Sequence, residues 1–293
     1  MNILLQVNLS CFLLSYLVAF GAEVIQFLRA RSRAAHMVSV IAMAAGLVAH
    51  TGYLFARFQE SGLPPLVGSS HDWLLVLGWL GIVVSLFLTA FTPASQAVFF
   101  LPTVLLLVLL AIIVDDTPSE MGRQLEVRRW GMLHASTLMI GIGLVVAATV
   151  TALMYLLQYQ RLRGRDVWIQ KLRLPSLERL TVVNRYLILA CLPLLTIGLV
   201  TGVILGTYAA DGQKFLWSEP IVWGTIAVWL IMILRLVFLL RRRQQTGRTV
   251  ALRTLFAGGF LVLTVFGLTL VTGGIHGSSG PVSPPANTSS TRP

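Results

Sequence analysis

Five histidines stand out in a chain poor in ionisable side chains: His36, His50, His71, His134 and His276. Neutral imidazole is a strong ligand for iron and related metals, and it exchanges protons near neutral pH. His50 is set inside a long apolar run, with Thr51 beside it and Tyr53 at i+3. An ionisable side chain within a membrane span usually faces the bundle interior and serves a ligand, an ion or a proton. A lone buried and hydrogen-bonded histidine would look the same. His71 opens an apolar run in Ser69-Ser70-His71-Asp72-Trp73, His134 opens another, and His276 closes the last in Gly273-Gly274-Ile275-His276-Gly277. Polar residues cost little near headgroups, so any of these three alone also fits an ordinary interfacial position. His36, beside Arg29, Arg31 and Arg33, reads as a headgroup contact. No nucleophile or general-base constellation accompanies the histidines, and Cys11 and Cys191 fall in apolar runs where a thiol acts as a small hydrophobe.

The elements that must position these rings follow from composition. Of 293 residues, 56% are hydrophobic and 11% charged, and mean hydropathy is +0.82. Such a chain is an integral membrane protein, and the absence of alternating ten-residue segments favours helices over a barrel. The expected fold is an all-α polytopic bundle. A span needs roughly 20 apolar residues, and eight runs qualify, near 3–28, 36–56, 73–92, 96–114, 132–158, 183–208, 220–240 and 251–275. Residues 1–276 thus form one transmembrane domain, and the Ser-, Pro- and Gly-rich stretch 277–293 is expected to be a disordered outer tail.

Lys and Arg accumulate on the cytoplasmic side, which orients the bundle. With both termini outside, the inner segments carry fifteen basic residues against the acids Asp166 and Glu178, while the outer segments carry six basic residues and eight acids. The net charge of +11 is therefore local to inner loops facing anionic headgroups, and no nucleic-acid partner is needed to explain it. This topology puts His50 six residues from the outer end of span two, roughly 9 Å deep. His71, His134 and His276 join it in the outer half.

Other features bear on packing. The inner connection 159–182 contains Leu174-Pro175-Ser176-Leu177-Glu178, expected to form a short interfacial helix. Gly198, Gly202 and Gly206 repeat at four-residue spacing on one face of span six and mark a close helix contact. Glu23 and Arg235 lie about five residues from inner helix ends, where both can snorkel.

Haem is a flat apolar ring that fits between helices or against aromatic side chains, with imidazole on its iron. The outer segment Gly212-Gln213-Lys214-Phe215-Leu216-Trp217-Ser218-Glu219-Pro220, continuing to Trp223 and Trp229, offers such a shelf. Trp217 and Phe215 would cover the ring and Lys214 would meet a propionate. An ordinary interfacial aromatic belt has the same composition.

Taken in order, Leu133-His134, Met154-Tyr155-Leu156-Leu157-Gln158, Leu174 to Glu178, the glycine-rich span six, the Trp-containing loop and Gly273-Gly274-Ile275-His276 resemble the cytochrome c assembly membrane proteins. These are the CcsA/ResC/CcmC group, and the likeness extends to their compact HemX-like branch. It covers about residues 130–277 well and 36–92 loosely. The resemblance implies haem b held at the outer face by two histidines flanking a tryptophan-rich loop, here His134 and His276. It implies delivery to apocytochrome c beside a CcsB/ResB-type partner in a bacterial inner membrane, with the new bonds joining haem vinyl groups to client thiols. By the same resemblance His50 matches a histidine associated with haem passage, whereas His71, also a candidate cofactor-binding residue, is not assigned by the family pattern. The loop departs from the family's Trp-Asp-Pro-Lys, reading Trp217-Ser218-Glu219-Pro220 with a single tryptophan. A HemX-like regulator or assembly factor of haem synthesis is therefore the rival expectation. A small-molecule transporter would suit eight spans and a buried His50 but lacks paired broken helices.

Overall fold

The computed structural model describes residues 9–28, 32–91, 97–114, 125–164, 174–209 and 247–272, with Trp223, Ile226, Ala227, Trp229, Leu230, Ile231, Ile233 and Leu234. Every regular element among them is α-helical. The helices are α1 (Leu9–Leu28), α2 (Arg33–Ser61), the single turn α3 (Pro65–Gly68), α4 (Ser70–Phe91), α5 (Ala97–Ile113), α6 (Leu125–Leu162), α7 (Leu177–Ala209) and α8 (Gly247–Thr272). Helices α1, α2, α4, α6 and α7 are long and apolar enough to cross a membrane, and α5 is a shorter apolar helix. The chain is thus a polytopic helical membrane protein. Apolar side chains such as Leu14, Ile41, Val48, Ile113 and Phe256 point away from the bundle, as lipid-facing residues must.

Neighbouring helices run antiparallel, and glycines set how closely they approach. Tyr16 of α1 reaches His50 of α2 while Glu23 reaches Ser39, so partners run in opposite directions along the two helices. The crossing is tight at Gly46, where a Cβ would stand 2.5 Å from Tyr16 Cε1. On α4, a Cβ at Gly81 would sit 2.8 Å from Val104 of α5. Helices α6 and α7 meet through Gly141 against Leu195 and Gly198 against Leu138. Gly258 of α8 faces Thr149 of α6, whose hydroxyl occupies the place a Cβ would take. Small residues let backbones approach where lipid supplies no hydrophobic drive for helix association. The main core gathers Phe12, Tyr16, Met43, Leu75, Leu101 and Val108 with residues of α6 and α7, and a smaller cluster around Tyr155 and Leu180 closes the other end.

Three details differ from the sequence expectations. Helices α2 and α6 begin or end well beyond their apolar runs, at Ser61 and Leu125, because polar residues such as Arg57 find partners inside the bundle instead of ending the helix. His50 therefore lies eleven residues, roughly 16 Å, from the end of α2, and His134 roughly 14 Å along α6 rather than in its first turn. Among the described residues of the inner connection, Leu177 to Leu180 belong to the following span and not to a separate interfacial helix. The Ser176 side chain accepts the Arg179 N–H at 3.3 Å, capping a helix that then runs unbroken from Leu177 through Pro193 to Ala209. Glu23 does not snorkel: it is 1% exposed, turned inward to accept hydrogen bonds from Ser39 Oγ at 2.7 Å and Gln26 Nε2 at 3.2 Å.

Candidate functional site

Two histidine centres are visible, on different helix groups. The first is built by α1, α2, α4 and α5. Gly46 and His50 lie one turn apart on the same face of α2, so the Tyr16 ring that rests on Gly46 extends its hydroxyl to His50 Nδ1, 3.1 Å away. Phe12, one turn earlier on α1, stacks on the imidazole with ring centroids 4.3 Å apart and planes 3° from parallel. The ring is wholly buried. Its position is fixed by stacking on one face and a hydrogen bond at one nitrogen, while Nε2 has no hydrogen-bond partner among the described residues.

Tyr53 serves a different histidine from the one its sequence position implied. Its hydroxyl lies 3.2 Å from His71 Nε2, and its ring tilts against Phe12 at 5.8 Å. Thr51 likewise turns from His50, accepting the Trp79 indole N–H at 2.9 Å. His71 Nδ1 donates to the Ala111 carbonyl at 2.6 Å. A carbonyl only accepts, so Nδ1 carries the proton and Nε2 accepts from Tyr53. Both nitrogens of His71 are engaged, and the ring ties α2, α4 and α5 together. One residue on, Asp72 accepts from Arg57 Nε at 3.0 Å, with the carboxylate 2% exposed, which binds α4 to α2 a second time.

The second centre is His134 between α6 and α7. Its Nδ1 donates to the Gly198 carbonyl at 2.7 Å, so the protonated nitrogen is again defined and Nε2 keeps its lone pair. The ring fits because of Gly202, where a Cβ would stand 2.7 Å from His134 Cε1 and 3.0 Å from Nδ1. The expected glycine contact thus exists, and it houses an imidazole. A histidine that gives one N–H to a backbone carbonyl and presents its other nitrogen has the form of a metal ligand held by an outer partner. His134 makes no ring contact with His50 or His71 among the described residues.

Trp217 and His276, with Lys214 and Phe215, lie outside the described residues, as does the tail 277–293. Trp229 does not extend an exposed aromatic shelf, because its indole N–H is bound to Thr196 Oγ1 of α7 at 2.9 Å. Sequence reasoning missed Phe12 and Tyr16. Their one-turn spacing on α1, against Gly46 and His50 at the same spacing on α2, was the available signal.

Comparison with known proteins gives this geometry a context. The chain is 25% identical to Protein HemX of Brevibacillus brevis over 175 residues, which is 59% of this chain and 63% of that protein. It therefore spans a little under two thirds of the relative's length. The family described as Cytochrome C assembly protein matches residues 63–276. That match takes in His71, His134 and His276, while Phe12, Tyr16 and His50 lie before it. Covering most of the chain, it establishes that the protein belongs to the cytochrome c assembly protein family.

Proposed function

We propose that the protein holds haem b at the outer face of a bacterial inner membrane for delivery to apocytochrome c, with His134 and His276 as the axial ligands and Trp217 covering the ring. One observation carries the reading: the His134 Nδ1–H bond to Gly198 leaves a fixed imidazole with its Nε2 lone pair uncommitted. Haem is cargo here, and it supplies the iron that takes this nitrogen and the vinyl groups that meet client thiols. The chain's own part is to bind and orient. His50, whose Nε2 is the unpartnered atom of a buried ring, is a ligand station within the membrane. His71, with both nitrogens taken, braces the helices around that station. A CcsB/ResB-type partner would complete the surface that receives the apocytochrome.

A second reading rests on the HemX likeness and the single tryptophan of loop 212–220: a non-catalytic regulator or assembly factor of haem synthesis. Deletion of the chromosomal copy separates the two. Haem delivery predicts loss of mature c-type cytochromes, restored by the wild-type chain but not by His134→Ala or His276→Ala. Normal c-type cytochromes with altered haem-precursor levels would overturn delivery and favour the regulatory role.

A further inference from the structure

At the inner end of the bundle, two arginines from distant parts of the chain converge on one ring. Arg163, in the turn that leaves α6, places its guanidinium carbon 4.8 Å from the Tyr159 ring centroid, and Arg248, in the first turn of α8, places its own at 5.7 Å. The two cations are therefore no more than about 10.5 Å apart, close to the roughly 8 Å screening length of physiological salt. Like charges held this near repel. Among the described residues neither arginine has a carboxylate partner, the single ion pair being Arg57 with Asp72 on the opposite side.

The convergence is built in. Gly164, with φ +68°, turns the chain directly after Arg163, a conformation glycine adopts without steric cost. Tyr159 itself packs on the apolar cluster of Tyr155, Leu180, Ala251 and Phe99, and the antiparallel contact of α6 with α8 sets Arg248 beside it. Below Arg248, at successive four-residue steps along the same face of α8, come Leu252 and Phe256, which are 47% and 73% exposed. Two cations with no carboxylate partner among the described residues, followed by an exposed apolar stripe running into the membrane, match a molecule with an anionic head and an acyl tail.

We infer that Arg163, Tyr159 and Arg248 form an inner-leaflet site for the phosphate of an anionic phospholipid, whose acyl chain lies along Leu252 and Phe256. Guanidinium groups bind phosphate through paired N–H donors, and the ring keeps both within reach of one headgroup. This site is separate from the histidine centres and does not depend on the haem reading.

Native mass spectrometry of the full chain in detergent, titrated with phosphatidylglycerol or with phosphatidylcholine of the same acyl composition, tests the site. The two charges predict a preference for phosphatidylglycerol of roughly 30-fold at one tight site. Arg163→Gln/Arg248→Gln should abolish that preference without removing lipids bound elsewhere. Tyr159→Leu keeps both charges but removes the ring that gathers them, and should weaken the preference by several-fold. Thermal melts confirm that each variant is folded before its lipid count is read, and the two variants are independent tests. An unchanged preference in the folded double glutamine variant would overturn the assignment. So would displacement of the lipid by millimolar inorganic phosphate, which would identify a site for soluble phosphate instead.

Discussion

Gly202→Ala is the sharpest perturbation of the His134 centre. The new methyl carbon would stand 2.7 Å from His134 Cε1 and 3.0 Å from Nδ1, where carbon contacts settle at about 3.5–4.0 Å. The ring must retreat by roughly 1 Å. Retreat of α7 in its place would give up the close packing one turn away, where the Gly198 Cβ position lies 2.5 Å from Leu138 Cδ2 of α6. The movement stretches the 2.7 Å bond from Nδ1 to the Gly198 carbonyl beyond the range of a hydrogen bond. Overpacking costs about 1–3 kcal/mol, and the lost bond adds about 1 kcal/mol. Loss of the partner that orients a metal-ligating histidine typically lowers affinity about 10–100-fold. Haem titration of the apoprotein in mild detergent, followed at the Soret band, reads the effect. Gly21→Ala is the matched control, since nothing lies within 4 Å of its Cβ position. Wild-type affinity and spectrum in folded Gly202→Ala would refute the argument that this cradle presents the ligand.

Three further substitutions probe the first centre and its brace. Gly46→Ala drives a methyl into Tyr16, 2.5 Å away; it should destabilise the α1–α2 pair by about 2 kcal/mol in denaturant titration, and an unchanged midpoint would show that the helices can separate there. Tyr53→Phe removes the donor to His71 Nε2 and should cost about 1 kcal/mol with haem content unaltered. A loss of haem with stability preserved would make His71 a ligand. Asp72→Ala removes the buried carboxylate that accepts from Arg57 Nε, and breaking this pair should cost about 3 kcal/mol in the same titration.

The helical bundle could be read from sequence because lipid imposes it: a chain with this many long apolar runs must satisfy its backbone within helices. Helix ends were harder to place, since Arg57 and Asp72 look like boundary residues until their pairing allows α2 to run on to Ser61. His134 stands out in the sequence, but its partner is a backbone carbonyl 64 residues away, and no side-chain pattern announces a carbonyl. The neighbours of His50 were misjudged for a related reason. Proximity along α2 pointed to Tyr53 and Thr51, whereas packing against α1 brought Phe12 and Tyr16 to the ring. Which faces meet depends on where glycine permits approach, and Gly46 decides that here.

The central claim is that His134 presents its Nε2 to haem iron. The visible spectrum of the purified protein in mild detergent, oxidised and reduced, with His134→Ala and His276→Ala alongside, tests it most directly. A Soret band and reduced-state bands of bis-histidine haem, lost or shifted in either variant, is the predicted result. A colourless protein that also fails to take up added haem, or variants that keep the wild-type spectrum, would contradict it.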